Sequence, residues 1–214
     1  YFGKWKDALT ETEQVEKLQL ESQFQSLQSQ LNPHFLFNSL NVLSSLITEN
    51  PRRAEDFVDE LSNVYRYLLR SNERELASVG EELRFIRSFF HLLETRHDTG
   101  VSMKINVGSE NFDKKLPALA LQILVENAVK HNEISPGKPL NIEIFSQQSA
   151  PPANSKTKDF NCQIVVHNNL QRKATRPQSN HIGLDNLRQR YELLGVKGFD
   201  VCDDGQFFTV TLPV

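Results

Sequence analysis

Apolar residues recur at helical steps over the first hundred positions and alternate like strands over much of the remainder. Leu20, Phe24, Leu27 and Leu31 follow one another at steps of four, three and four, the spacing of a helix that buries one stripe against a partner helix. Continued, that step lands on His34, Asn38, Asn41 and Ser45, so the stripe turns polar. Leu36, Leu40, Leu43 and Ile47 take up the same spacing on a face roughly 160–200° away, at about 100° per residue. Pro33 sits where the stripe changes face, removes one backbone donor and bends or re-registers the helix there. The pattern predicts one long helix over residues 7–49, closed by the Asn50-Pro51 turn, with His34 pointing away from the new apolar seam. Taken alone, such a histidine is an ordinary residue of a wet helix face.

Phe57, Leu61, Val64 and Leu68 predict a second helix over 52–71, which makes an antiparallel hairpin with the first. The combined stripes exceed what one hairpin can cover, so the economical arrangement is a homodimer closing a four-helix bundle. Ser78 with Glu81 forms a capping box for a third helix, running through Leu83, Ile86, Phe90 and Leu93 to about residue 96. The period then changes. Strands are expected at 101–107, 140–146 and 162–168, helices at 118–131 and 183–194, and a closing hairpin of 199–203 with 207–212 across Asp204-Gly205. The predicted class is α+β, with a helical dimerisation region over 1–98 and an α/β sandwich over 99–214, its mixed sheet carrying helices on one face. The polar, proline-bearing stretch 147–159 reads as a surface loop.

Composition narrows the function. A net charge of −3 over 214 residues leaves no electrostatic footprint for nucleic acid. Cys162 and Cys202, the two cysteines, sit in strand-like surroundings without zinc-ligand spacing and read as buried free thiols of a reducing compartment. The nearly apolar run Leu116 to Val125 is far short of the roughly 20 residues a membrane helix needs. The opening Tyr1-Phe2-Gly3-Lys4-Trp5-Lys6 has the aromatic–lysine mixture found just beyond a membrane helix, although a frayed end looks the same.

Neither a P-loop nor a dinucleotide-binding glycine fingerprint is present. In the 118–131 helix, Asn127, Lys130 and His131 fall at steps of three and four and share a face. A neutral oxygen ligand, a cation and an imidazole so placed suit Mg²⁺ and phosphate oxygens. Gly183 precedes another helix, whose unpaired amides can receive phosphate, although a helix-opening glycine is usually no more than a start signal. Arg188 and Arg190 add charge there, and Arg172, Lys173 and Arg176 in the preceding loop are either phosphate ligands or solvated basic residues.

Three segments in order, Asn32-Pro-His-Phe-Leu-Phe-Asn-Ser-Leu-Asn41, Leu121-Gln-Ile-Leu-Val-Glu-Asn-Ala-Val-Lys-His131 and His181-Ile-Gly-Leu-Asp-Asn-Leu-Arg-Gln-Arg-Tyr191, resemble the LytS/YehU-type sensor histidine kinases with a GHKL (Bergerat-type) ATPase domain. The resemblance implies ATP-dependent phosphorylation of His34, helped by Asn38, and transfer to an aspartate of a response regulator. It implies that Asn127 holds Mg²⁺, that Glu126, Lys130 and His131 serve the phosphates, and that Gly183, Leu184 and Asn186 form the second ATP motif. It also implies a homodimer at the cytoplasmic side of an inner-membrane protein, with a membrane-embedded or sensor segment upstream of this chain. One motif departs from the family. The Asp-x-Gly whose carboxylate accepts from the adenine amino group is replaced by Val166-His167-Asn168-Asn169-Leu170. Alternation puts Asn168 in the aspartate position, with His167 as the competing alignment. A neutral amide loses charge assistance of about 1 kcal/mol. Two rival readings remain: a weak or inactive kinase-like module that signals through dimer geometry, and an ATPase that works by nucleotide-gated dimerisation.

Overall fold

The computed structural model describes residues 33–71, 74–149, 161–173 and 182–214. The stripe Leu20–Leu31, the aromatic start and the continuation of the first helix before Pro33 lie outside the described residues, as do the side chain of His34 and Arg176. The chain divides into two compact units, Tyr1–Pro51 and Arg52–Val214.

In the first unit, helix α1 spans Pro33–Glu49. Of its expected apolar stripe, Leu36 and Leu43 are half-buried, whereas Leu40 and Ile47 are exposed, as is Phe37. Ser39 is buried, its hydroxyl donating to Phe35 O at 2.8 Å, one turn back.

The second unit holds α2, Pro51–Ser71, from its second residue on, and Phe57, Val64 and Leu68 of this helix are buried on one stripe. The capping box before α3, Val79–His97, is reciprocal: Ser78 N donates to Glu81 Oε2 at 2.9 Å, and Glu81 N to Ser78 Oγ at 3.2 Å. Helix α3 is buried well beyond one stripe, because Phe85, Phe89 and Leu92 are covered as well as Leu83, Ile86, Phe90 and Leu93. A short antiparallel ribbon pairs β1, Leu76–Ser78, with β3, Lys115–Pro117. Three-residue strands with mixed polarity leave no periodic signal, so the sequence pattern did not reveal them.

The main sheet contains β2 (Val101–Asn106), β4 (Leu140–Ser149), β5 (Asn161–Asn169), β6 (Asp200–Asp203) and β7 (Phe207–Pro213), ordered β2-β4-β5-β7-β6. β2 and β4 run parallel, joined through α4, Ala120–His131; the other neighbours are antiparallel. The expected mixed sheet is therefore present. Leu140, Ile142, Ile144, Ile164, Val166, Val210 and Leu212 are buried on the face that packs against the helices. Helix α5, Ile182–Leu193, adds buried Leu187 and Tyr191. Gly205, at φ 87°, turns the closing hairpin.

Some boundaries differ from the sequence expectation. β4 extends through Gln147 and Gln148, since backbone pairing is indifferent to polar side chains on an open face; Gln147 Nε2 donates to Gln163 Oε1 at 3.2 Å. Helix α4 begins at Ala120 rather than 118 because Lys115–Pro117 are held in β3 and Leu119 turns left-handed at φ 66°. Cys162 is buried, but Cys202 is exposed on edge strand β6, so the burial expected for both thiols holds for one.

Candidate functional site

Helix α4 carries Asn127, and α5 begins beside it. A Cβ added to Gly183 would lie tightly, 3.3 Å, against Ile123 Cγ2 and in ordinary contact, 3.8 Å, with Asn127 Nδ2. The first and second candidate motifs are thus brought together by the close approach that glycine permits. Glu126, a turn after Gln122, accepts from Gln122 Nε2 at 3.0 Å. Lys130 is exposed and His131 half-buried at the end of the helix. Leu184 is half-buried and Asn186 exposed in the first turns of α5.

Asn168 is only 4 % exposed and shares the helix-facing side of β5 with Cys162, Ile164 and Val166. Its Nδ2 donates to Asn169 O at 2.8 Å, and its Oδ1 makes no hydrogen bond among the described residues. His167 faces the other side of the sheet, with Nδ1 2.8 Å from Thr209 Oγ1 and its ring stacked on Phe207 at 4.5 Å. Within α1, the backbone of His34 lies in the first described turn, and Asn38 is half-buried one turn later.

The basic residues expected near phosphates have other engagements. Arg172 pairs with Asp203 at 2.6 Å, and Lys173 Nζ donates to Lys130 O at 2.8 Å. Arg188 lies over the Phe199 ring, 5.1 Å from its centroid, and Arg190 Nη1 donates to Ala118 O at 2.9 Å. These contacts hold α5 and the loop after β5 in place.

Sequence reasoning missed the groups that fix the ends of α4. Glu82, fully buried on α3, accepts from Leu119 N at 2.8 Å and Leu121 N at 3.1 Å, capping α4 from another helix. Tyr67 of α2 donates its hydroxyl to the same carboxylate at 2.6 Å and stacks on Phe85 at 4.4 Å. Burial raises the proton affinity of Glu82 above that of an ordinary glutamate, against the opposing pull of its three donors. Burial, and then the Glu82 charge, push ionisation of Tyr67 far out of reach. At the other end, buried Asn132 donates to Ala128 O at 2.8 Å and accepts from Gln171 N at 2.6 Å. The available signal for Glu82 was a charged residue in step with the apolar stripe Ile86, Phe89 and Leu93.

Together these features place Asn127 of α4, Gly183 in the first turn of α5 and Asn168 of the helix-facing side of β5 in one mixed α/β unit. Residues 22–101 match the histidine kinase family. The chain is 36 % identical over 123 residues, 58 % of its length, to the sensor histidine kinase/phosphatase LytS of Staphylococcus aureus. That alignment spans 21 % of the LytS protein. The resemblance to the LytS-type sensor histidine kinases is thus borne out. Among solved structures, the histidine kinase domain of the Erythrobacter litoralis EL346 blue-light activated histidine kinase aligns with 85 % of this chain and 94 % of its own, at 14 % identity and TM-score 0.43. The catalytic domain of histidine kinase ThkA aligns with 64 % of this chain and 93 % of its own, at 16 % identity and TM-score 0.40. Among the described residues no helix is long and apolar enough to cross a membrane, and no three His, Cys, Asp or Glu side chains converge as a metal site.

Proposed function

We propose that this chain is the kinase portion of a dimeric sensor histidine kinase, with a helical phosphoacceptor region over 1–98 and an ATP-binding sandwich over 99–214. The observation that carries the reading is Asn127 set against Gly183, with Asn168 Oδ1, unpartnered among the described residues, on the helix-facing side of the main sheet. In this assignment Asn127 Oδ1 is the protein ligand of Mg²⁺, which completes its shell with water and phosphate oxygens. Glu126, Lys130, His131, Leu184 and Asn186 border the phosphates, and Asn168 Oδ1 accepts from the adenine amino group. MgATP supplies the γ-phosphoryl group; the chain's part is alignment and charge neutralisation. The acceptor is a nitrogen of His34, already nucleophilic as neutral imidazole near pH 7, with Asn38 orienting the ring. The phosphoryl group then passes to an aspartate of a response regulator. The exposed Phe37, Leu40 and Ile47 of α1 supply apolar surface for dimerisation. Placement as the cytoplasmic part of an inner-membrane sensor follows from the likeness to LytS and belongs to the same proposal.

The test is titration with MgATP, followed by labelling with γ-phosphate-labelled ATP. Wild type should bind and acquire an acid-labile label, and His34→Gln should bind equally and remain unlabelled. Equal labelling of His34→Gln would remove the acceptor assignment. The second reading, a kinase-like module that signals through dimer geometry, is favoured by one feature: the position of the adenine-binding carboxylate holds an amide. Absence of heat at millimolar MgATP, in wild type and in Asn168→Asp alike, would put that reading in place of the kinase.

A further inference from the structure

Away from the nucleotide site, the second unit contains a cleft of about 580 Å³ between α2 and α3. Arg66, Arg70, Arg74, Arg84 and Arg87 line it, against the single carboxylate of Glu81. The chain as a whole carries −3, so this concentration of positive charge is local and runs against the overall sign. Arg74 pairs with Glu81 at 3.3 Å; the other four guanidinium groups have no ion pair or hydrogen bond among the described residues. Arg66 and Arg70 lie one turn apart near the end of α2, Arg84 and Arg87 one turn apart on α3, and Arg74 follows α2, so both helices turn like charges toward the same space. Solvated helix faces ordinarily interleave the two signs. Half-buried Tyr67, backed by the stacked and buried Phe85, contributes aromatic surface within the cationic border.

We propose that this cleft is a second binding site, for a small polyphosphate anion bearing a planar base, a nucleoside polyphosphate in chemical class. Guanidinium forks match phosphate oxygens in pairs, and several unpaired forks converging on one cleft favour a compact, multiply charged ligand over a single carboxylate. The volume falls within the range of pockets that enclose small molecules, about 300–1,000 Å³. The part-exposed Tyr67 ring offers a surface to a base. The cleft shares no lining residue with the Asn127–Gly183 site, and Ala118, just before α4, is among the residues that line it. An occupant would abut Tyr67, whose hydroxyl holds the Glu82 carboxylate that caps α4.

The probes are inorganic tripolyphosphate and Mg²⁺-free ATP, titrated calorimetrically into the full chain as wild type, Asn127→Ala, Arg70→Gln/Arg84→Gln and Arg70→Lys/Arg84→Lys. Tripolyphosphate should bind wild type and Asn127→Ala alike and weaken steeply with salt. Binding should weaken at least about tenfold in the Gln pair and by an intermediate factor in the Lys pair, which keeps charge but loses the forks. In Asn127→Ala, ATP should bind more tightly than tripolyphosphate, reporting the aromatic surface. Circular dichroism melts establish that each variant is folded, and the Lys pair carries the test if the Gln pair is not. Unchanged affinity in the Arg variants, loss of tripolyphosphate binding in Asn127→Ala, or no heat at millimolar probe would overturn the proposal. So would an acidic polypeptide that binds more tightly than tripolyphosphate through the same arginines, which would make the cleft a protein-docking groove. A monomer–dimer shift in the Gln pair without change in anion affinity would reassign it to a second copy of this chain.

Discussion

Replacing Glu82 by alanine tests whether one buried carboxylate holds the start of α4. The side chain is fully buried and receives three donors, Tyr67 Oη, Leu119 N and Leu121 N. Removing it leaves two backbone amides without their acceptor, at about 1–3 kcal/mol each, and strands the Tyr67 hydroxyl. Relief of the carboxylate's own desolvation, several kcal/mol, offsets part of that loss. Leu119 also holds a left-handed backbone that the hydrogen bond from its N–H to Glu82 helps to fix, and this strain would be free to relax. The net expectation is a loss of about 2–4 kcal/mol in urea unfolding, or roughly 5–15 °C in Tm for a chain of this size. Tyr67→Phe alone should cost about 1–2 kcal/mol, and the double variant should show coupling of at least about 1 kcal/mol. The pH dependence has a definite sign. The folded-state proton affinity of Glu82 is raised, so between the ordinary glutamate pKa and the raised one the folded state holds more protons than the unfolded state. Stability from this group is therefore fully present at low pH and is lost as pH rises through its raised pKa. Wild type should gain on Glu82→Gln as pH falls from neutral toward about 5. A Glu82→Leu variant as stable as wild type, or Glu82→Ala within about 0.5 kcal/mol of it, would refute the expectation that the capping carboxylate adds net stability.

Ser78→Ala removes one arm of the capping box and should cost about 1 kcal/mol in chemical denaturation, without changing nucleotide affinity. Gly183→Ala places a methyl group 3.3 Å from Ile123 Cγ2, close enough that the start of α5 must give by a few tenths of an ångström, so calorimetry should show MgATP binding weakened by up to a few-fold with Tm nearly unchanged. Asn168→Asp should tighten ATP by a few-fold to about tenfold, the scale of one charge-assisted bond gained over a neutral one, and Asn127→Ala should remove the Mg²⁺ dependence of binding. Sedimentation at micromolar concentration should show a dimer, and Leu40→Glu/Ile47→Glu should convert it to monomer with helix content retained.

Periodic signals transferred well from sequence to structure. The stripes of α2 and α3, the alternation of β2, β4, β5 and β7, and the Ser78–Glu81 box each express a local rule that a few neighbouring residues satisfy. What the sequence did not reveal depends on partners far along the chain. Glu82 reaches Leu119 and Leu121, Asn132 reaches Gln171, and Arg190 reaches Ala118; no local pattern announces such pairs. Arg188 shows the converse. Its type and position suggested a phosphate ligand, yet a ring 5.1 Å away offers the guanidinium a nearer partner. Alternation did separate Asn168 from His167, because adjacent strand residues must face opposite sides of the sheet.

The long-range bonds converge on a single element. Helix α4 is held at its start by Glu82, while Arg190 fixes the Ala118 carbonyl just upstream. Its end is held by Asn132, joined to Gln171 N, and by Lys173, joined to Lys130 O. A 12-residue helix has too few internal bonds to be rigid on its own, so its exact placement is set by these end contacts and by packing. Asn127 sits between the two clamps, and its distance from Gly183 follows from where they place the helix. The start clamp leads through Tyr67 into α2, so a shift of α2 against α3 must either carry α4 with it or break the 2.6 Å Tyr67–Glu82 bond. Breaking that bond leaves a buried carboxylate short of one donor, which makes the coupled movement the cheaper of the two. Displacement of the helix that follows α1 in sequence would thereby alter the helix that carries Asn127 without any change in the residues of the nucleotide site.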